Sequence, residues 1–203
     1  MISAIFNQII LSGEGFWAAN QLFRTNKTKK PMKKIVLTYG LLAGAIVGSM
    51  FFVTKPLYEK GILTMEYGEL VGYSTMIVAL SLIFFGVKSY RDNHLAGSIT
   101  FGKALVVGLL ITLVASLIYA VCWEVIYNTM TDFVTEMGEK YFEKLKADGM
   151  SQAKIDEYAA MYENPFIRFP MTLMEIAPVG ILISLISAGL LRMKGFLPTS
   201  STN

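Results

Sequence analysis

IVLTYGLLAGAIVGSMFFV, residues Ile35 to Val53, carries no charged side chain and does not alternate apolar with polar positions. The hydrocarbon layer of a bilayer is about 30 Å thick and a helix rises about 1.5 Å per residue, so one crossing takes about 20 mostly apolar residues. The run has that length and lies between Lys33-Lys34 and Lys55-Pro56. In lipid, backbone N–H and C=O groups find no water, so the segment must satisfy them internally as a helix. A barrel strand would be shorter and would alternate.

Three further runs meet the same test. They are Leu70–Val87 between Glu69 and Lys88, Ala104–Trp123 between Lys103 and Glu124, and Met171–Leu191 between Pro170 and Arg192. Only the last contains an ionisable carboxylate, Glu175. The expected fold is all-α, an integral membrane four-helix bundle with an extramembrane helical hairpin between the third and fourth spans. Its membrane domain is residues 32–194. Composition agrees: 54% of the 203 residues are hydrophobic and 16% charged, against about 45–50% and about 25% in soluble domains. Mean hydropathy is +0.51.

The net charge of +3 comes without a basic stripe, which argues against nucleic acid as a partner. Cys122 and His94 are each the sole residue of their type, so an internal disulfide and the usual zinc sites are excluded. No metal and no cofactor is expected. Lys and Arg flank the spans unevenly. Arg24, Lys27, Lys29, Lys30, Lys33 and Lys34 precede the first, Lys88, Arg91 and Lys103 lie between the second and third, and Arg192 and Lys194 follow the fourth. On the other side lie Lys55 and Lys60, and then Lys140, Lys144, Lys146, Lys154 and Arg168 in the long connection, mostly far from a membrane edge. The positive-inside rule then places both termini in the cytoplasm. Tyr58, Tyr67, Trp123, Tyr127, Phe166 and Phe169 are expected to form the outer aromatic belt.

Residues 1–31 read as an extension ahead of the bundle, either an upstream start or an interfacial helix laying Ile5, Phe6, Ile9, Ile10 and Phe16 on the bilayer. Residues 195–203 read as a flexible tail. Between them, the loop 129–164 has helical spacing. Phe133, Met137 and Tyr141 stand four apart, widened by Val134, Phe142 and Leu145. Asp148-Gly149 breaks the pattern. Ser151 then serves as N-cap for a second helix through Ile155, Tyr158, Ala159 and Tyr162, ending at Asn164-Pro165.

Two short stretches carry a family resemblance. Gly97-Ser98-Ile99-Thr100-Phe101-Gly102-Lys103-Ala104 leads into the third span, and Thr172-Leu173-Met174-Glu175-Ile176-Ala177-Pro178-Val179-Gly180 opens the fourth. Both resemble signatures of DUF4199, a bacterial membrane family of unknown function found mostly in Bacteroidetes, over roughly Met32 to Lys194. The resemblance implies four spans with a long loop between the last two, and assigns no catalytic residue.

Glu175 is the leading candidate for chemistry, since an ionisable residue inside a span costs about 2.5–3.5 kcal/mol at the bilayer centre and marks function by default. Pro178 follows three residues later and is expected either to break the helix and free a carbonyl, or to sit in its first turn. Glu124, at the outer end of the third span, is expected at comparable depth, where the two carboxylates would share a proton or clasp a cation. Small residues recur four apart as Gly40, Gly44 and Gly48, as Gly180, Ser184 and Ala188, and as Ala104 with Gly108. Such stripes let helix backbones approach within one bundle, or, on the first span, across a homodimer seam. Arg91 and Lys103 are expected at lipid head groups. Ser116 and Ser184 are the hydroxyls within spans considered as nucleophiles, and no span holds a histidine to serve them. The chain therefore reads as non-enzymatic. A scaffold or partner-binding subunit ranks first, and a small transporter or ion-coupled protein using the carboxylates second.

Overall fold

Each apolar run becomes a helix because its backbone has no other partner. The computed structural model describes residues 13–193 and 195–197, with side chains from residue 31 onward (65 and 66 excepted). Seven helices follow in order: α1 Gly13–Glu59, α2 Met65–Leu80, α3 Leu82–His94, α4 Phe101–Thr129, α5 Thr131–Ala147, α6 Gln152–Glu163 and α7 Pro165–Leu191. Among the described residues, four stretches are long and apolar enough to cross a membrane: Pro31–Glu59, Tyr67–His94, Phe101–Thr129 and Pro165–Leu191. Their outward faces carry exposed Leu41, Val78, Leu113 and Ile186. A water-soluble monomer seldom shows such broad apolar surface, and lipid is the solvent that suits it.

Local chemistry sets the helix ends. Thr64 caps α2, its hydroxyl accepting from Tyr67 N at 3.5 Å. Asn164 caps α7, its Oδ1 accepting from Phe166 N at 3.0 Å, and Pro165 takes the first turn, where a missing N–H costs nothing. After α5 the chain reverses at Gly149, whose φ of +92° favours glycine, while Met150 N donates to Leu145 O at 2.9 Å.

Several expectations need correction. The second span is two helices, α2 and α3, joined at Ser81. There Ser81 Oγ donates to Val78 O at 2.6 Å and Phe84 N donates to Ser81 O at 3.0 Å, one residue short of α-helical spacing. The fourth span begins at Pro165, six residues before the expected Met171, and passes through both Pro170 and Pro178 without interruption. Pro178 thus neither breaks the helix nor lies in its first turn. The helix tolerates it by losing the single amide that would have met Met174 O. Pro31 likewise lies inside a helix that begins at Gly13. The interfacial residues Ile5, Phe6, Ile9 and Ile10, and the side chain of Phe16, fall outside the described residues.

α4 is the central post, packed most extensively against α7 and α1. The first-span glycines face α4 within this chain, which fits packing inside one bundle, the first of the two uses read from sequence. A Cβ at Gly40 would lie 2.6 Å from Val114 Cβ, one at Gly44 would lie 2.7 Å from Ile118 Cβ, and one at Gly48 would lie 2.7 Å from Cys122 Sγ. The α4–α7 seam works the same way. Ser184 sits over Gly108 and Thr112 over Gly180, while Ala104 and Ala188 are fully buried. Across this seam Thr112 Oγ1 and Ser184 Oγ are 3.3 Å apart, and each also lies within reach of the carbonyl four residues back, so one hydroxyl donates across the seam while the other donates within its own helix.

Gly44→Leu should therefore lower stability in detergent by about 1–3 kcal/mol through overpacking. Gly189→Leu, where a Cβ meets nothing within 4 Å, should have little effect. Equal thermal unfolding midpoints for the two variants would show that the glycine stripe does not set the α1–α4 approach.

Candidate ligand cavity beneath the helical hairpin

At the hairpin end of the bundle the helices part around a cavity of about 680 Å³. The hairpin α5–α6 lies over it because its apolar stripe has somewhere to go. Phe133 is buried, its ring 6.1 Å from that of Tyr58, and Ile155 is buried on α6. Lys144 of α5 reaches both carboxylate oxygens of Glu69 on α2, each at 2.7 Å. The wall is strongly aromatic. α1 supplies Phe51 and Tyr58, α2 Tyr73, α4 Tyr119, Trp123 and Tyr127, and the hairpin Tyr141, Phe142 and Tyr162. Phe51 packs on Tyr119 and Trp123, with ring centroids 5.4 and 5.1 Å apart.

Glu175 opens into this space. Its Oε2 accepts from Tyr119 Oη at 3.2 Å, and its Oε1 lies 3.4 Å from Tyr162 Oη. Thus α4 and α6 each bring one phenol to a carboxylate on α7. Three more carboxylates, Glu69, Glu139 and Glu163, line the cavity, and no Lys, Arg or His does among the described residues.

Glu124 does not join Glu175. Arg168 Nε and Nη2 hold its two oxygens at 2.9 and 2.6 Å in a bidentate pair, with the guanidinium 3.5 Å above the Tyr127 ring. Arg168 Nη1 also donates to Tyr162 O at 2.6 Å, which fastens the end of α6 to α4. Seven residues separate Arg168 from Glu175 on α7, so Glu175 lies about 10 Å further along the axis. The expectation of comparable depth fails because the fourth helix starts earlier than its apolar run suggests. Arg168 was legible only as one more charge in the loop. The available signal was a basic residue just before one span and an acid just after the preceding one.

The other expected residues are placed as follows. Lys103 is exposed in the first turn of α4. Arg91 is 2% exposed and does not meet head groups. Its Nη1 and Nη2 donate to Phe196 O and Leu197 O at 2.8 and 2.6 Å, and its Nε to Asp92 at 2.6 Å. The start of the expected flexible tail is therefore docked. Of the aromatic belt, Tyr67 and Phe166 are exposed, whereas Tyr58, Trp123 and Tyr127 turn inward to the cavity. Ser184 is committed to Thr112 and Gly180 O, and the buried Ser116 hydroxyl has no partner among the described residues.

Comparison with known proteins gives one match. The family described as protein of unknown function, DUF4199, matches residues 38–193. The chain belongs to this family. No curated protein and no solved structure matches. The DUF4199 match covers the four spans from Thr38 onward and the hairpin, so every cavity residue named above falls within it.

The hairpin's hold on the bundle depends on protonation. Hydrogen bonding to Glu69 raises the Lys144 ammonium above its ordinary value. Burial, then the charge of Glu175, raises the Tyr162 phenol. Both shifts are upward, so this stabilisation is complete below the ordinary lysine and tyrosine ranges and is lost as pH rises through the raised values. Protease nicking within 131–163 of detergent-solubilised protein should stay low at neutral pH and increase in strong alkali. Nicking unchanged over that alkaline range would exclude these groups as fasteners. Arg168→Ala leaves Glu124 without its cation and should lower stability by about 3–5 kcal/mol in thermal or denaturant unfolding. A loss below about 1 kcal/mol would place the pair among ordinary surface bridges.

Proposed function

We propose that this multi-pass membrane protein is a non-enzymatic ligand-binding protein whose site is the cavity under the hairpin. The observation that carries this reading is the position of Glu175, on the cavity wall between two phenols. A scaffold gives no reason to keep a carboxylate that far along a span, because an ionisable group at membrane depth is costly. Aromatic walls with a few polar groups converging on one volume are the usual composition of a small-molecule site. The absence of a base beside Ser116 or Ser184, among the described residues, supports a non-enzymatic role. This reading differs from both expectations from sequence, the scaffold or partner-binding subunit ranked first and the small transporter or ion-coupled protein ranked second, and keeps from the second only the role of Glu175.

We place the protein in a bacterial cytoplasmic membrane with both termini inside and the cavity on the outer face. The support is the charge distribution. Lys33, Lys34, Lys88, Lys103 and Arg192 all belong to the end of the bundle opposite the hairpin.

Native mass spectrometry of the protein released from its own membranes should show a small-molecule adduct. The adduct should disappear in Gly72→Phe, which puts a ring into a cavity-lining position where a Cβ would meet only Met50 Cε at 3.7 Å. A bare polypeptide mass for the wild type, or an adduct retained undiminished by a folded Gly72→Phe, would reject the cavity as a binding site.

A further inference from the structure

The charge and the walls of the cavity agree on one class of ligand. Its lining holds four carboxylates and no basic side chain among the described residues. One of the four, Glu69, already has Lys144 as its counter-ion. Among the described residues Glu175 has only the two phenols Tyr119 and Tyr162, which donate hydrogen bonds but bring no positive charge. A ligand that completes this site carries a positive charge. The donors do not suit a bare metal ion, since no three His, Cys, Asp or Glu residues among the described residues converge on one point. The cavity that Glu175 opens into is rich in ring surface. Tyr73, Tyr119, Trp123 and Tyr162 all line the same volume. Aromatic faces attract a diffuse cation within about 6 Å of the ring centroid, and this is the recurring way that quaternary ammonium groups are bound. The protein already makes one such contact next door, where the Arg168 guanidinium lies 3.5 Å from the Tyr127 centroid.

We propose that the cavity binds an organic cation, an ammonium with an apolar body, with Glu175 as its counter-ion and the surrounding aromatic rings as its cage. The proposal rests on the cavity being a ligand site and adds the ligand's charge and chemistry. The volume of about 680 Å³ lies within the range of about 300–1,000 Å³ usual for small-molecule sites. The aromatic lining suits the apolar body, and Glu175 suits the head.

The test uses the full chain in nanodiscs of zwitterionic lipid, with Trp17→Phe leaving Trp123 as the only tryptophan. Benzyltrimethylammonium is titrated against its emission, alongside the neutral isostere 2,2-dimethylpropylbenzene and the anion benzenesulfonate. The expected result is saturable binding of the cation, at least tenfold tighter than either control. Glu175→Gln keeps the shape and the phenol contacts, and should weaken the cation at least tenfold while leaving the neutral isostere within about twofold. Tyr73→Leu, away from the Glu175 hydrogen bonds, should weaken the cation more than the isostere and keeps the test open if Glu175→Gln fails to fold. Saturable binding of the isostere or the sulfonate as tight as that of the cation would overturn the cation assignment while leaving the cavity as a binding site. So would a folded Glu175→Gln that binds the cation unchanged. No saturable binding of any probe would overturn the assignment as well, and the native-mass experiment then decides the fate of the cavity reading separately.

Discussion

The close approach of α4 to α1 on one side and to α7 on the other is the constraint on which the rest of the structure depends. Lipid tails are as apolar as leucine, so helices in a membrane gain little from hiding apolar surface against each other. They associate where small residues let backbones come near enough for dense van der Waals contact. Gly40, Gly44 and Gly48 supply that along α1, and Gly108 and Gly180 along the α4–α7 seam. The hydroxyls of Thr112 and Ser184 add a polar contact between α4 and α7, in which one donates to the other and the acceptor donates to the carbonyl four residues back in its own helix. With these three helices locked, the remaining crossing, the second span, packs at their side as two pieces jointed at Ser81.

The same tight packing explains where the bundle opens. The small residues of the seams give way to Phe51, Tyr119 and Trp123 toward the hairpin end. Large rings hold helices apart, and the space between them is the cavity. The hairpin does not fill it. α5 buries Phe133 against Tyr58 and ties Lys144 to Glu69, while α6 reaches Glu175 through Tyr162. Arg168 fixes this cover from the far side. One guanidinium clamps Glu124 on α4, lies over the Tyr127 face, and donates to the Tyr162 carbonyl. Planar, multidentate geometry of this kind is available to arginine and not to lysine. The clamp therefore aligns the α6–α7 corner, and with it the phenol that meets Glu175.

At the opposite end Arg91 does a related job. Two carbonyls just beyond the fourth span, of Phe196 and Leu197, accept from a buried guanidinium on α3. Each end of the bundle thus has one arginine whose charge is used for internal cohesion, although both looked from sequence like residues for topology or lipid.

The sequence by itself determined the solvent, the number of crossings and the helical hairpin between the last two. Those follow from apolar run length, from the need of every backbone group for a partner, and from the four-residue spacing of Phe133, Met137 and Tyr141, all of which are local properties of the chain. It also singled out Glu175 as the carboxylate inside a span. Only the tertiary structure decided what each polar group faces. Glu124 went to Arg168, 44 residues away, and Glu175 went to Tyr119, 56 residues away. The first-span glycines turned inward to α4, and half of the expected aromatic belt turned inward to the cavity. Helix rotation and depth settle such pairings, and a one-dimensional pattern of apolar runs fixes neither, because lipid outside and protein inside favour the same apolar side chains.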